Sequence, residues 1–236
     1  MLPWLPATLV QFPDSNQALD DPDGLLAAGG DLTPEWLLAA YRRGIFPWFS
    51  DGQPILWWTP SARMVLFPDE LRIHRSLAKR LRNGGFHVSI DHAFDTVIHQ
   101  CAASREHREG TWITTEMAEA YRRLHRLGHA HSVEVWHSDR LVGGLYGVAL
   151  GCVFFGESMF SLERDASKVA LVHLCRHFQN QGNGMIDCQM HTEHLARLGA
   201  RDIARTAFID YLEQYIDAST DMFSGKVMED AAPAPE

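Results

Sequence analysis

The chain has 236 residues, 46% of them hydrophobic, with 21 Lys and Arg against 30 Asp and Glu and a formal charge of -9. That length and apolar content bury a full core, in one large domain or a small one beside a larger one, which excludes general disorder. The acidic balance excludes non-specific adhesion to nucleic acid, leaving only a local basic patch for RNA, and no run of roughly 18 apolar residues or signal-peptide pattern appears, so a soluble cytoplasmic protein is expected.

In chain order, residues 1–62 are rich in Pro, Gly and Trp and are expected to form a small N-terminal domain. Its one clear helix starts at Pro34 behind Thr33 and closes at Gly44, the pattern of a proline in the first turn and a glycine past the last. Turn-rich stretches flank it, Asp20 to Gly24 before and Gly44 to Ser50 after, the second with large rings that either plug a core or line a site. Residues 63–218 read as mixed helix and strand. Helices are expected at 75–83, 93–104, 116–127 (Thr115 as cap, Gly128 as stop), 167–180 and 207–216. Strands are expected at 131–136, 141–150, 152–157 and 185–189, with Ser138-Asp139 and Gly151 as tight connections, so the first three form a meander. This order predicts an α+β protein whose second domain is acetyltransferase-like (GNAT-like), with a mixed sheet. Residues 219–236, polar, acidic and ending Ala-Ala-Pro-Ala-Pro-Glu, are expected to be a loose tail.

Several residues stand out chemically. Glu157, in Gly156-Glu157-Ser158-Met159-Phe160-Ser161, is a carboxylate among bulky apolar groups at a strand end. Such an acid is costly unless it is paired or used, so it is either a structural carboxylate bridging a partner or a site residue. Ser158 lacks the second glycine of a nucleophile elbow. Asp187 and Gln189 are two apart on a short strand and are expected to share one sheet face, with Ile186 and Cys188 on the other; a solvated strand face is the alternative. Cys101, Cys152, Cys175 and Cys188 have no CxxC spacing and are expected to be reduced, packed thiols. Arg72, Arg75, Lys79 and Arg82 recur at helical spacing beside an apolar stripe of Ile73, Leu77 and Leu81; they form either a plain solvated face or the best phosphate-contact patch in the chain.

No metal is expected at His125, His129 and His131, because Gly128 interrupts the helix between them, nor at His191 and His194, whose nearest carboxylate is expected to be Glu193 on a different face. Gln179 to Gly184 matches a loop that wraps a coenzyme A pyrophosphate, but these glycines follow a helix, whose C-terminal dipole repels phosphate.

These segments resemble the leucyl/phenylalanyl-tRNA-protein transferase family over nearly all of residues 12–216. The matching stretches include Gly24-Leu25-Leu26-Ala27, Gly29-Gly30-Asp31-Leu32, Tyr41 to Phe49, Pro54 to Trp58, Gly110 to Thr114, Gly128 to Trp136, Gly156 to Ser161 and Ile186 to Gln189. The resemblance implies transfer of Leu or Phe, less readily Met, from aminoacyl-tRNA to proteins beginning with Arg or Lys, which creates a degradation signal. It implies an aminoacyl pocket from Leu145, Phe154, Met159, Leu174, Phe178 and Ile186, and aromatic contacts to the terminal adenosine from Trp48 and Trp112. Glu157, Asp187 and Gln189 are then the catalytic candidates. Asp187 is expected to orient the acceptor amine through Gln189, and Glu157 to hold the amine and its neighbouring positive charge. A side-chain amide carries protons poorly, so Gln189 is given a positioning role. The ester is already activated, so no cofactor is expected and aminoacyl-tRNA is a co-substrate; the protein is expected to act as a monomer away from membranes. A coenzyme A-dependent acyltransferase and a non-enzymatic N-terminus-binding adaptor are the competing readings.

Overall fold

The computed structural model describes residues 2–109, 112–182, 184–218 and 222–223, with no side-chain description at 105–109. The N-terminal part holds β1 (Trp4–Leu5), β2 (Leu25–Gly29), α1 (Pro34–Tyr41), β3 (Phe46–Pro47) and β4 (Leu56–Trp58). The strands form a sheet in the order β1-β2-β4-β3, parallel only between β1 and β2. The sequence suggested just the helix here. The strands escape notice because they are very short and β2, Leu-Leu-Ala-Ala-Gly, is buried at every position, which erases the alternation that marks a half-buried strand.

The remaining elements are β5 (Ala62–Leu66), α2 (Arg75–Asn83), β6 (Phe86–Ile90), α3 (Phe94–Glu109), α4 (Thr115–Arg126), β7 (Ala130–His137), β8 (Arg140–Leu150), β9 (Val153–Ser161), α5 (Ala166–Asn180), β10 (Met185–Gln189), α6 (Glu193–Ala196), β11 (Arg201–Ala204) and α7 (Arg205–Tyr215). Among the described residues the large sheet runs β11-β5-β10-β9-β8-β7-β6, antiparallel except where β9 meets β10. This is the α+β class expected, and from β6 to β10 the order is one strand, two helices, a three-strand meander, a helix and a strand parallel to the last of the three. The meander follows from its turns: Ser138 and Asp139 both take positive φ, at 48° and 59°, as a two-residue hairpin needs. Helix α4 is capped one residue earlier than expected, by the Thr114 hydroxyl on the Met117 N–H at 3.2 Å.

The large sheet has a core on each face, and adjacent residues of β9 divide between them. Phe155 packs with α1, α3, α4, α7 and the N-terminal sheet, while Phe154 packs with α5 and Leu77 of α2. The N-terminal sheet therefore shares its core with one face of the large sheet; Phe12, Trp36 and Trp57 meet there with ring centroids 4.8–6.0 Å apart. Most of the expected tail lies outside the described residues. Of those described, Met222 is buried and its carbonyl meets His177 Nε2, while Phe223 stacks on His131 at 4.1 Å.

Candidate active site

The parallel pair β9 and β10 stays in register only from Met185 opposite Val153 to Asp187 opposite Phe155. Both strands then bulge. In β9 the pairing to β8 jumps from Gly147–Gly156 to Tyr146–Ser158, leaving Glu157 as the extra residue. In β10 the pairing to β5 jumps from Asp187–Val65 to Gln189–Met64, leaving Cys188 as the extra residue. A bulge bends its strand and re-aims the side chains beside it, so two bulges at one level part the strands. The opening is a cavity of about 650 Å³.

The cavity brings together most of the residues singled out from the sequence. Leu145, Phe154, Met159, Leu174 and Ile186 line one part of it, joined by Leu171; Glu157, Asp187 and Gln189 line another; Trp48 and Trp112 border it as well. Phe178 is a correction. It is wholly buried behind the wall, edge-on to Phe154 at 6.5 Å and 81°. Trp48 is 38% exposed and lies 5.5 Å from Trp58, whose indole N–H donates to the Trp48 carbonyl at 2.7 Å.

The polar part is a connected network. Asp187, with no exposed surface, forms a two-pronged ion pair with Arg63, Nε to Oδ1 at 2.8 Å and NH2 to Oδ2 at 2.6 Å. Arg63 lies between the rings of Phe46 and Phe208, at 4.7 and 4.6 Å, and also donates to the Gly44 carbonyl. The same Asp187 Oδ1 accepts from the Gln189 backbone N–H at 2.8 Å, which holds Gln189 at a φ of 62°. The Gln189 side-chain amide then donates to Glu157 Oε1 at 2.8 Å. Simple strand alternation does not govern this pair: with the bulge between them, Asp187 joins Gln189 through its backbone, and Cys188 reaches the cavity too. The Cys188 thiol is no nucleophile, because burial pushes its pKa well above the usual thiol value and the nearby Asp187 charge adds to that.

Glu157 is 6% exposed. Tyr41 donates to its Oε1 and Tyr121 to its Oε2, each at 2.7 Å, and the two phenol oxygens are themselves 2.7 Å apart. Burial pushes the Glu157 carboxyl up to about 7; the two tyrosine hydrogen bonds and Arg63 oppose the rise, and Asp187 adds to it. Both phenols are raised well above their usual range, first by burial and then by the Glu157 charge.

Arg63, Tyr41 and Tyr121 were not foreseen as site residues. Tyr121 falls on the apolar face of α4 with Met117, Ala120 and Leu124, where it reads as core. Arg63 carried the one usable signal, a guanidinium in the otherwise apolar stretch Ala62-Arg63-Met64-Val65-Leu66, which needs a buried anion. The basic residues Arg72, Arg75, Lys79 and Arg82 are all exposed and, among the described residues, have no ion-pair partner. They do not line the cavity; Leu77 turns the opposite side of α2 into the core. His191 also differs from expectation: its closest carboxylate is Asp202 on β11, at 2.7 Å, with Glu193 at 3.7 Å.

The family model described as leucyl/phenylalanyl-tRNA protein transferase matches residues 65–213, and the model for the N-terminal domain of the same transferase matches residues 30–61. A leucyl/phenylalanyl-tRNA-protein transferase from Chromohalobacter salexigens is 67% identical over 92% of this chain and 85% of its own length. One from Pseudomonas aeruginosa is 59% identical over 92% of this chain and 96% of its own. Among solved structures, L-PGS from Bacillus licheniformis gives a TM-score of 0.40 at 11% identity, covering 70% of this chain and 55% of that one, a likeness too slight to bear on activity. A mixed α+β sheet opened at its parallel pair around a cavity, with relatives this similar, makes the chain an aminoacyltransferase. It belongs to the leucyl/phenylalanyl-tRNA-protein transferase family.

Proposed function

We propose that the chain transfers leucine or phenylalanine, and less readily methionine, from the matching aminoacyl-tRNA to the N-terminal Arg or Lys of acceptor proteins, marking them for degradation. The observation that carries this reading is a single cavity lined both by an apolar cluster and by the hydrogen-bonded network of Glu157, Asp187 and Gln189, at β9 and β10. The apolar lining, with Leu145, Phe154, Met159, Leu174 and Ile186, suits a branched or aromatic side chain. Trp48 and Trp112 at its border suit an unpaired adenosine, which proteins hold by stacking. Glu157 suits the α-ammonium of the acceptor and the cationic side chain beside it.

The chemistry asks little beyond placement. The aminoacyl ester is already activated, so aminolysis needs neither ATP nor a cofactor, and holding amine and ester together supplies much of the rate. Glu157, Asp187 and Gln189 are assigned to the reaction, with Gln189 fixed by Asp187 and aimed at the carboxylate that receives the amine. Phe178 supports Phe154 from behind. The exposed cations Arg72, Arg75, Lys79 and Arg82 are assigned to tRNA phosphates, the protein acting as a cytoplasmic monomer. Among the described residues no helix is long and apolar enough to cross a membrane.

The test is incubation of labelled Leu-tRNA with peptides that begin with Arg or with Asp, with and without ribonuclease. Label is expected on the Arg peptide alone and only when the tRNA is intact. Label arriving equally on both peptides, or from acyl-coenzyme A, refutes the reading.

A further inference from the structure

Four oxygens in the polar part of the cavity make three close contacts: Tyr41 Oη to Tyr121 Oη, Tyr41 Oη to Glu157 Oε1, and Tyr121 Oη to Glu157 Oε2, each at 2.7 Å. A contact that short needs a hydrogen between the oxygens, since two bare lone pairs at that distance repel. The two phenols supply only two hydrogens. With Glu157 ionised, both point at the carboxylate and the Tyr41–Tyr121 contact has none. With Glu157 protonated on Oε2 the ring closes: Oε2–H donates to Tyr121, Tyr121 to Tyr41, and Tyr41 to Oε1, which also accepts from Gln189. The ring is thus one proton short in its ionised state.

We propose that Glu157 takes the proton released by the acceptor amine, and that Tyr41 and Tyr121 are positioning residues that form with it a hydrogen-bonded ring completed by that proton. The inference rests on the proposed function and names the step it left open. Oε1 already accepts from Tyr41 and Gln189 and Oε2 from Tyr121, so among the described residues the lone-pair position left for an incoming ammonium is on Oε2. Glu157 also lines the cavity, within reach of a substrate.

The step balances. The ammonium gives one proton to Glu157, and the neutral amine attacks the ester carbonyl. The new C–N bond forms as the bond from that carbon to the ribose oxygen breaks. A second amine proton goes to the departing oxygen, giving the tRNA hydroxyl, and the third stays on the amide nitrogen. Glu157 then returns its proton to water.

The charged and titratable groups that act on Glu157 are Tyr41 from α1, Tyr121 from α4, Arg63 from β5 and Asp187 from β10, and Tyr146 from β8 acts on the two phenols. Arg63 and Asp187 neutralise one another at 2.6 Å, the Tyr41 and Tyr121 phenols are raised well above their usual range, and the Tyr146 ring lies edge-on to Tyr121. Glu157, pushed up to about 7, is the group in this cluster whose proton affinity suits exchange with an amine near neutral pH.

The experiment is single-turnover transfer from Leu-tRNA to an Arg-initiated peptide by the full chain, from about pH 5.5 to about pH 8.5. The unmutated protein is expected to show an acidic limb near pH 7 that stays in place when the acceptor is exchanged for one with a less basic N-terminal amine. Tyr41→Phe and Tyr121→Phe each break the ring of the protonated state but also remove a charge-assisted hydrogen bond to the ionised carboxylate, which is the stronger effect, so each is expected to move that limb upward by roughly one pH unit. Glu157→Gln is expected to lose roughly 10²–10³-fold in rate at neutral pH, with a residual rate that rises with the free-amine fraction. Leu-tRNA binding is expected to survive in all three. A limb that follows the amine, or a Glu157→Gln profile parallel to the unmutated one, overturns the assignment of the proton to Glu157; a limb unmoved in both tyrosine variants overturns the ring. If the unmutated chain makes no product at any pH, the proposed function itself has failed.

Discussion

Gln189 is held at both ends, its backbone N–H on Asp187 and its side-chain amide on Glu157, so it has little freedom to do anything but aim. Gln189→Ala is expected to slow transfer far more than it weakens Leu-tRNA binding, and equal losses in the two assays would remove it from the reaction. Asp187 is held differently. It balances the buried Arg63 charge, and removing one member of such a pair strands the other. Asp187→Asn is therefore expected to lower unfolding stability by about 3–5 kcal/mol as well as slowing transfer, and urea denaturation measures the first effect. Replacing the pair together, Arg63→Met with Asp187→Leu, is expected to restore much of the stability and none of the transfer, because a buried ion pair often does no better than apolar side chains of its size. Recovery of activity in the double variant would show that the pair serves only the fold.

At the scale of elements, the bulge in β9 depends on a glycine across from it. A Cβ on Gly147 would stand 2.2 Å from the Phe155 carbonyl oxygen and 2.6 Å from the Phe154 ring. Gly147→Ala is expected to destabilise by about 1–3 kcal/mol through overpacking, visible as a lowered denaturation midpoint. Helix α2 presents Lys79 and Arg82 to solvent while Leu77 anchors it. Lys79→Ala with Arg82→Ala is expected to weaken Leu-tRNA binding and to flatten its salt dependence by roughly 1.5 in log-log slope; an unchanged slope assigns α2 a merely solvated face.

Legibility in the sequence divides along the same lines. The meander β7-β8-β9 could be read because Ser138-Asp139 and Gly151 punctuate long apolar runs, and α4 because Thr and Gly bracket it. β5, β6 and β11 were not legible, whereas β10, equally short, was, because Ile186 and Cys188 alternate there with Asp187 and Gln189. At the site, Glu157 declared itself as an acid among apolar neighbours, whereas its tyrosine partners come from helices 80 residues apart in the chain, a separation no local pattern spans. The bulges are equally silent: nothing in Ile186-Asp187-Cys188-Gln189 says that the strand skips a residue.

For the whole molecule, the raised Glu157 carboxyl links folding to pH. A Glu in the unfolded chain titrates at about 4.3, so between there and about 7 the folded state binds the extra proton. Stability from this group is therefore present at low pH and is lost as pH rises through the folded value. Glu157→Gln lacks that loss, so its melting temperature relative to the unmutated protein is expected to climb between about pH 4.5 and about pH 7 and then level off. A difference independent of pH would show that Glu157 titrates normally.

The shared core has one more consequence. Tyr41, Phe46 and Trp48 all come from the N-terminal part, yet they reach respectively the proposed proton acceptor, the Arg63 guanidinium and the cavity border. A shortened descendant keeping only residues 65–213 would retain the apolar bowl of Leu145, Phe154, Leu174 and Ile186 and lose these three side chains together with Arg63. Such a relic could still cradle a greasy side chain, but as a receptor and no longer as a transferase.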